Sequence, residues 1–231
     1  MIEYESNIDF SWDTQLKWKG RCQSNNIQSP INIEKPHIIA NLQKDFKVSY
    51  SFYDVFPLIS RRFNEAIVLF SNHPGILKID LNNNFLLFRP KFISFRFPGG
   101  HLFTGKRSNG EMLIHLKELN PDKKRRQINS LIITIPLEND KETTNFSPLE
   151  SLNIDFWKYS LRDQNNHIPK DFITDLITVF SLPEIFNQIT NLKSKFFFYI
   201  GSETVPPCTG NKYDKIRVCL PLSLRNTIEN I

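Results

Sequence analysis

The sequence contains no apolar run approaching the ~20 residues that a membrane-spanning helix needs, so no part of its 231 residues reads as such a span. It has no heptad and no Gly-X-Y period, and it carries 14 prolines. Coiled-coil and collagen-like architectures are thereby excluded. No internal repeat, low-complexity block or linker divides it, so one domain is expected. Its start, Met1-Ile-Glu-Tyr-Glu-Ser6, is acidic and polar, unlike a secretory leader or an Arg-rich transit peptide. Entry into a compartment without a cleaved leader, or residence in the cytosol, is expected. Cysteine is scarce: Cys22, Cys208 and Cys219. Their spacing fits neither a zinc ribbon nor a redox Cys-x-x-Cys pair, and two can pair with one left over. No nucleic-acid-binding motif is present.

What is there points to a folded β protein. Apolar residues make up 40% and aromatics 13%, too many for a disordered chain. The 29 Lys+Arg against 24 Asp+Glu leave a mild net charge of +5, which favours acidic surfaces without requiring one. Richness in Asn, Ile, Lys and Phe reads as codon bias of an AT-rich genome. Short β-rich runs follow one another at 46–52, 66–70, 75–79, 85–88, 92–97, 112–116 and 130–135. Turn clusters such as Asn82-Asn-Asn84, Pro98-Gly-Gly100 and Ser108-Asn-Gly110 separate them. Strand after strand without intervening helices predicts a mainly antiparallel sheet. A capping box is expected at Ser147-Pro-Leu-Glu150 and a helical turn at Pro183-Glu-Ile-Phe-Asn187, with strands again at 195–199 and 215–219. Residues 1–21 read as an irregular arm and 22–231 as the domain.

Two segments are specific. One is Gln28-Ser-Pro-Ile-Asn-Ile33; the other is Tyr199-Ile-Gly-Ser-Glu-Thr-Val-Pro-Pro-Cys208. Between them, Phe95-Arg-Phe-Pro-Gly-Gly100 is followed by a run from His101 through Glu111 to Leu116. In this order and separation the segments resemble the α-class carbonic anhydrases, over most of the chain from Cys22 to Cys219. The resemblance implies a mainly β, single α-carbonic-anhydrase-like domain. It has a large twisted, mostly antiparallel central sheet, short peripheral helices and a curtailed C-terminus.

The family's chemistry needs three zinc ligands and an open position for water, whose pKa the metal lowers to about 7. The three ligand positions fall here on Arg96, Pro98 and Leu113. Arginine stays protonated, and proline and leucine have no donor atom. The resemblance therefore implies that no metal or other cofactor is held. Slipping the register by two would offer His115, but one ligand is not three. A new site built from His37, His73, His101, His115 and His167 has no suitable spacing. Thr204 matches the threonine that orients the zinc-bound hydroxide, but its acidic acceptor corresponds to Gly100. His73 aligns with the proton-shuttle histidine, or is a surface-turn histidine. The carbon dioxide pocket would be lined by His115, Ile132 and Glu203, two of them polar. Arg96 is expected to fill the zinc space with its own charge, partnered by Glu203. The scaffold positions His101, Glu111 and Tyr199 match a buried hydrogen-bond network, and Cys22 and Cys208 match the family's disulfide. That pair implies an oxidising compartment; two reduced neighbours in the cytosol are the alternative. Cys219 reads as a buried strand cysteine.

The function expected is a non-catalytic structural or accessory subunit, or interaction module, of a larger assembly. Partner subunits would cover what the curtailed C-terminus exposes, and neither substrate nor nucleic acid is expected. An oxidising space without a leader suggests the mitochondrial intermembrane space, with peripheral membrane proximity. An adhesion or receptor-type module for a polyanion or protein is the alternative, using the vestigial cleft or a basic face. A residual hydratase or esterase with a relocated metal is the third reading. The run Lys123-Lys-Arg-Arg126 is either a solvated loop or a docking site for an acidic partner, anionic lipid or nucleic acid.

Overall fold

The computed structural model describes residues 29–33, 39–41, 47–62, 65–81, 84–120, 130–137, 173–175, 179–191, 195–201 and 216–221. The expectations for Cys22, Cys208, Glu203, Thr204, His37 and His167 fall outside these residues. So do those for the arm 1–21, the basic run 123–126 and the capping box 147–150.

The strand texture becomes one large sheet. Its strands are β2 (Ile39–Asn41), β3 (Lys47–Phe52), β5 (Pro57–Arg62), β6 (Glu65–Phe70), β7 (Gly75–Leu81) and β8 (Asn84–Arg96). They continue with β11 (Gly110–Glu118), β12 (Ser130–Leu137), β13 (Ile173–Asp175), β15 (Lys195–Gly201) and β16 (Ile216–Pro221). The order is β13-β5-β6-β8-β11-β12-β16-β15-β2, with β7 alongside the first half of β8 and β3 beyond it. Pairing is antiparallel except between β12 and β16. Smaller pieces flank it: β1 (Asn32–Ile33) with the hairpin β9 (Leu102–Phe103) and β10 (Lys106–Arg107), and β4 (Asp54–Val55) with β14 (Phe180–Ser181).

The sequence texture divides 85–97 into two strands, but β8 is continuous. Its pairing with β11 shifts between His115 and Leu116, where Lys91 is left over as a bulge. Pro90 has no N–H to give the ladder, and a bulge is where a sheet tolerates it. The extra residue also inverts the alternation. Leu86 and Phe88 share a face with Ile93 and Phe95, so Arg89, Phe92, Ser94 and Arg96 share the other.

The first face carries the main core. Phe88, Ile93 and Phe95 meet Met112, Ile114 and Leu116 of β11 and Leu131, Ile133 and Ile135 of β12. Each such side chain contributes roughly 1.5–3 kcal/mol by leaving water. The expected helical turn is longer than five residues: α1 spans Leu182–Asn191. The Ser181 hydroxyl accepts from the Glu184 amide at 3.4 Å, with the Ser-x-x-Glu spacing of a capping box. Leu182, Ile185 and Phe186 of α1 close the core, and Phe186 packs on Phe52 with ring centroids 4.3 Å apart.

Candidate functional site

The opposite face of β8, β11 and β12 carries Arg96 and Leu113, two of the positions that the resemblance gives to the metal ligands. Antiparallel register puts Arg96 opposite Glu111, Ser94 opposite Leu113, and Phe92 opposite His115. Across β11, Leu113 faces Thr134 and His115 faces Ile132. Period-two alternation therefore brings these side chains onto one surface.

The donor set does not fit a metal. Arg96 and Leu113 are each 1% exposed and neither offers a lone pair. Pro98 is exposed in the bend after β8. Leu113 instead packs into a small apolar cluster with Ile33, Phe103 and Ile132, joined by Ile31 and Tyr199. Ile33 and Phe103 arrive together because β1 pairs in parallel with β9. Among the described residues no group of three His, Cys, Asp or Glu is placed to hold a metal ion.

Arg96 points into the protein, and its charge acts on neighbouring groups. Burial, and then the Arg96 guanidinium, hold the His115 imidazole down at about 3. His115 is thus neutral at physiological pH. It lies against Phe92, ring centroids 4.1 Å apart and 20° from parallel, and its Nε2 is 3.0 Å from Ser94 Oγ. A serine hydroxyl against an imidazole has the form of a nucleophile–base pair, but a base titrating near 3 is far from the value general-base catalysis needs at neutral pH. Ser94 is also fully buried. The pair holds the ring in place.

The scaffold network is present. His101 is buried, and both its backbone N–H (2.6 Å) and Nδ1 (3.0 Å) reach Glu111 Oε1. Its Nε2 lies 2.7 Å from the Tyr199 hydroxyl, which lies 3.0 Å from Ser29 Oγ. Burial pushes the Glu111 carboxyl up, but the His101 hydrogen bonds and charge and the Gly100 amide outweigh it and hold the group below its usual value. The Glu111 carboxylate accepts from His101 Nδ1–H, and the chain of contacts runs on through Nε2 and the Tyr199 hydroxyl to Ser29. Burial raises the Tyr199 phenol above its ordinary range, so it remains a donor. Ser29 and Tyr199 belong to the two specific sequence segments, which therefore meet. A Cβ at Gly201 would collide with Ser29 Oγ, so the second segment needs glycine there.

The structure unites Arg96, Leu113, His115, Ile132, Glu111, His101 and Tyr199. His73 stands apart from the Arg96 end of this group. Glu65 of β6 pairs with Arg96 and Leu69 with Phe92, so His73, which follows β6, lies more than about 15 Å along the strand from the level of Arg96 at ~3.3 Å per residue and nearer the level of Phe92. There it is exposed, its Nδ1 accepts from the Gly75 amide at 3.0 Å, and Tyr53 is its ring neighbour. Sequence reasoning missed Ser94, Phe92, Ile33 and Phe103. Ser94 was accessible by counting back two from Arg96. Phe103 was not, since only the β1–β9 pairing carries it to Leu113.

No protein-family model matches the sequence, and no curated protein matches it. Solved structures match in fold. A carbonic anhydrase from Chlamydomonas reinhardtii in complex with acetazolamide aligns with TM-score 0.64 at 16% identity, covering 95% of this chain and 82% of that one. Dioscorin complexed with ascorbate gives 0.61 at 20%, covering 91% and 72%. The α-carbonic anhydrase of Thermovibrio ammonificans with sulfanilamide gives 0.60 at 18%, covering 87% and 73%. The fold is that of the α-carbonic anhydrases.

Proposed function

We propose that this chain is a non-catalytic carbonic-anhydrase-like protein, serving as an interaction module or accessory subunit of a larger assembly. The observation that carries the reading is the chemistry of the three ligand positions. Arg96 and Pro98 cannot coordinate zinc, and Leu113 is built into an apolar cluster over the same ground. A hydroxide generator needs both a metal and an open water position. Neither is supported by a guanidinium beside sealed aliphatic side chains. The exposed aromatic residues Tyr53 (56%) and Phe56 (52%) favour a partner-covered surface. An oxidising compartment such as the mitochondrial intermembrane space remains part of the proposal through Cys22 and Cys208.

The test is metal content, native mass and carbon dioxide hydration, measured on protein isolated from its own cells. The expected result is a particle much heavier than 27.1 kDa, without stoichiometric zinc and without hydration above the uncatalysed rate. A monomer with one equivalent of zinc and hydratase or esterase activity would overturn the reading. A receptor or adhesion role is the second reading, favoured by a cationic stripe on the sheet near the cleft.

A further inference from the structure

The bulge at Lys91 has a consequence for surface charge. Because it inverts the alternation of β8, Arg89 comes onto the same face as Phe92, Ser94 and Arg96. On β11 the corresponding position is Lys117, two residues beyond His115, and Arg89 and Lys117 are direct register partners. Two like charges directly opposite each other destabilise an antiparallel pair. Lys91, the extra residue, is exposed beside them, as is Lys117; Arg89 is half-buried. On β7, Lys78 lies opposite Leu87 and so on this face too, with its Nζ 3.8 Å from the ring centre of Phe85, which is 57% exposed. Asp80, opposite Phe85, is the one carboxylate of this stretch of β7, β8 and β11 that shares the face, and it has an interaction of its own. Among the described residues, Arg89, Lys91 and Lys117 make no ion pair, and Arg89 Nε has no hydrogen-bond partner.

We infer that Lys78, Arg89, Lys91 and Lys117 form a docking surface for an acidic peptide segment of a partner protein. The charge has the complementary sign for carboxylates, and a carboxylate between Arg89 and Lys117 would relieve their repulsion while accepting a bidentate bond from the guanidinium. The stripe crosses three strands, about 10 Å at ~4.8 Å per step. That suits a few alternate carboxylates of an extended peptide, and it is small for a nucleic acid, which needs many phosphate contacts to bind well. The inference gives the interaction module proposed above a surface and a partner class, and it rests on that reading.

The test uses the full chain and a fluorescein-labelled peptide of alternating Glu and Gly, ten residues long, with the Gln-Gly peptide as control. Anisotropy is expected to show binding of the Glu peptide alone, weakened at least fivefold between 50 and 300 mM salt. Lys117→Glu is expected to weaken binding at least tenfold and to raise Tm by a few degrees, because it turns a like-charge pair into an opposite one. The double variant Lys106→Glu/Arg107→Glu, on the exposed β10, makes a larger charge change elsewhere and is expected to leave binding within twofold. If Lys117→Glu does not fold, Lys91→Glu on the exposed bulge replaces it. Equal binding by Lys117→Glu, equal loss in the β10 variant, or tighter binding of a decanucleotide or heparin with the same dependence would each overturn the inference. Zinc uptake with hydratase activity would instead overturn the reading beneath it and leave the peptide result standing.

Discussion

His115 reports how the interior holds an imidazole, first by burial and then by the Arg96 charge. Its imidazole is held at about 3, against 6.5 for an unperturbed group, by burial and then by Arg96. A histidine depressed in the folded state takes up a proton on unfolding as pH falls below 6.5, so the unfolded state binds more protons and stability falls with pH. The window runs from 6.5 down to about 3. Between pH 7 and pH 5 the folded ring stays neutral while the unfolded ring becomes almost fully charged, which costs about 2 kcal/mol at 1.36 kcal/mol per unit. For a chain of this length that is a Tm decrease of about 4–8 °C. Glu111 works in the same direction, but its stabilisation is lost only as pH falls below its unfolded value of 4.5 and through its lowered folded value, so it contributes little in this range. His115→Gln removes the titration and keeps an amide that can bond Ser94 Oγ. Urea unfolding of both proteins at pH 7 and pH 5 is expected to give a wild-type loss about 2 kcal/mol greater than that of the variant. Equal losses, or a His115 ring signal titrating near 6.5 by NMR, would refute the burial of a neutral ring at this position.

Further expectations concern the plug, the network and the cap. Leu113→Ala removes the centre of the apolar cluster over the old ligand position and is expected to cost about 2–5 kcal/mol in chemical denaturation, without any gain of zinc by metal analysis. Tyr199→Phe leaves His101 Nε2 and the Ser29 hydroxyl without their partner. A loss of about 1–3 kcal/mol is expected, and a neutral effect would mean that water replaces the phenol. Ser181→Ala removes the hydroxyl that caps α1 and is expected to cost about 1 kcal/mol, measured as a shift in urea midpoint at constant m-value.

Much of the sheet was legible in the sequence because each strand carries its own alternation and its own turn residues. The runs at 66–70, 112–116 and 130–135 correspond to β6, β11 and β12. The scaffold network was legible through the resemblance, since His101, Glu111 and Tyr199 keep their spacing. What could not be read depends on pairing across the chain. The two halves of β8 look like separate strands because Pro90 interrupts the pattern, and only the register with β11 reveals a bulge that inverts the faces. The apolar plug is equally non-local. Ile33 and Phe103 have no periodic relation to Leu113, and their contact arises from three different elements. For His73 the sequence left two readings, a shuttle position and a surface turn, and the residue is exposed between β6 and β7.

The buried network of His101, Glu111 and Tyr199 is accounted for by its own hydrogen bonds. Glu111 Oε1 accepts from both the backbone N–H and the Nδ1 of His101. That network joins β11, the loop before β9, β15 and the entry segment at Ser29, so losing one member strands the others. Each unsatisfied buried group costs about 1–3 kcal/mol, which penalises piecemeal loss of the network whatever happens to the metal. The ligand positions carry no such penalty once an apolar cluster fills them. Leu113 is stabilised by the neighbours it packs against, and Arg96 is buried at the end of β8. The network is thus held by its own hydrogen bonds and Leu113 by apolar packing, so each has its own source of stability.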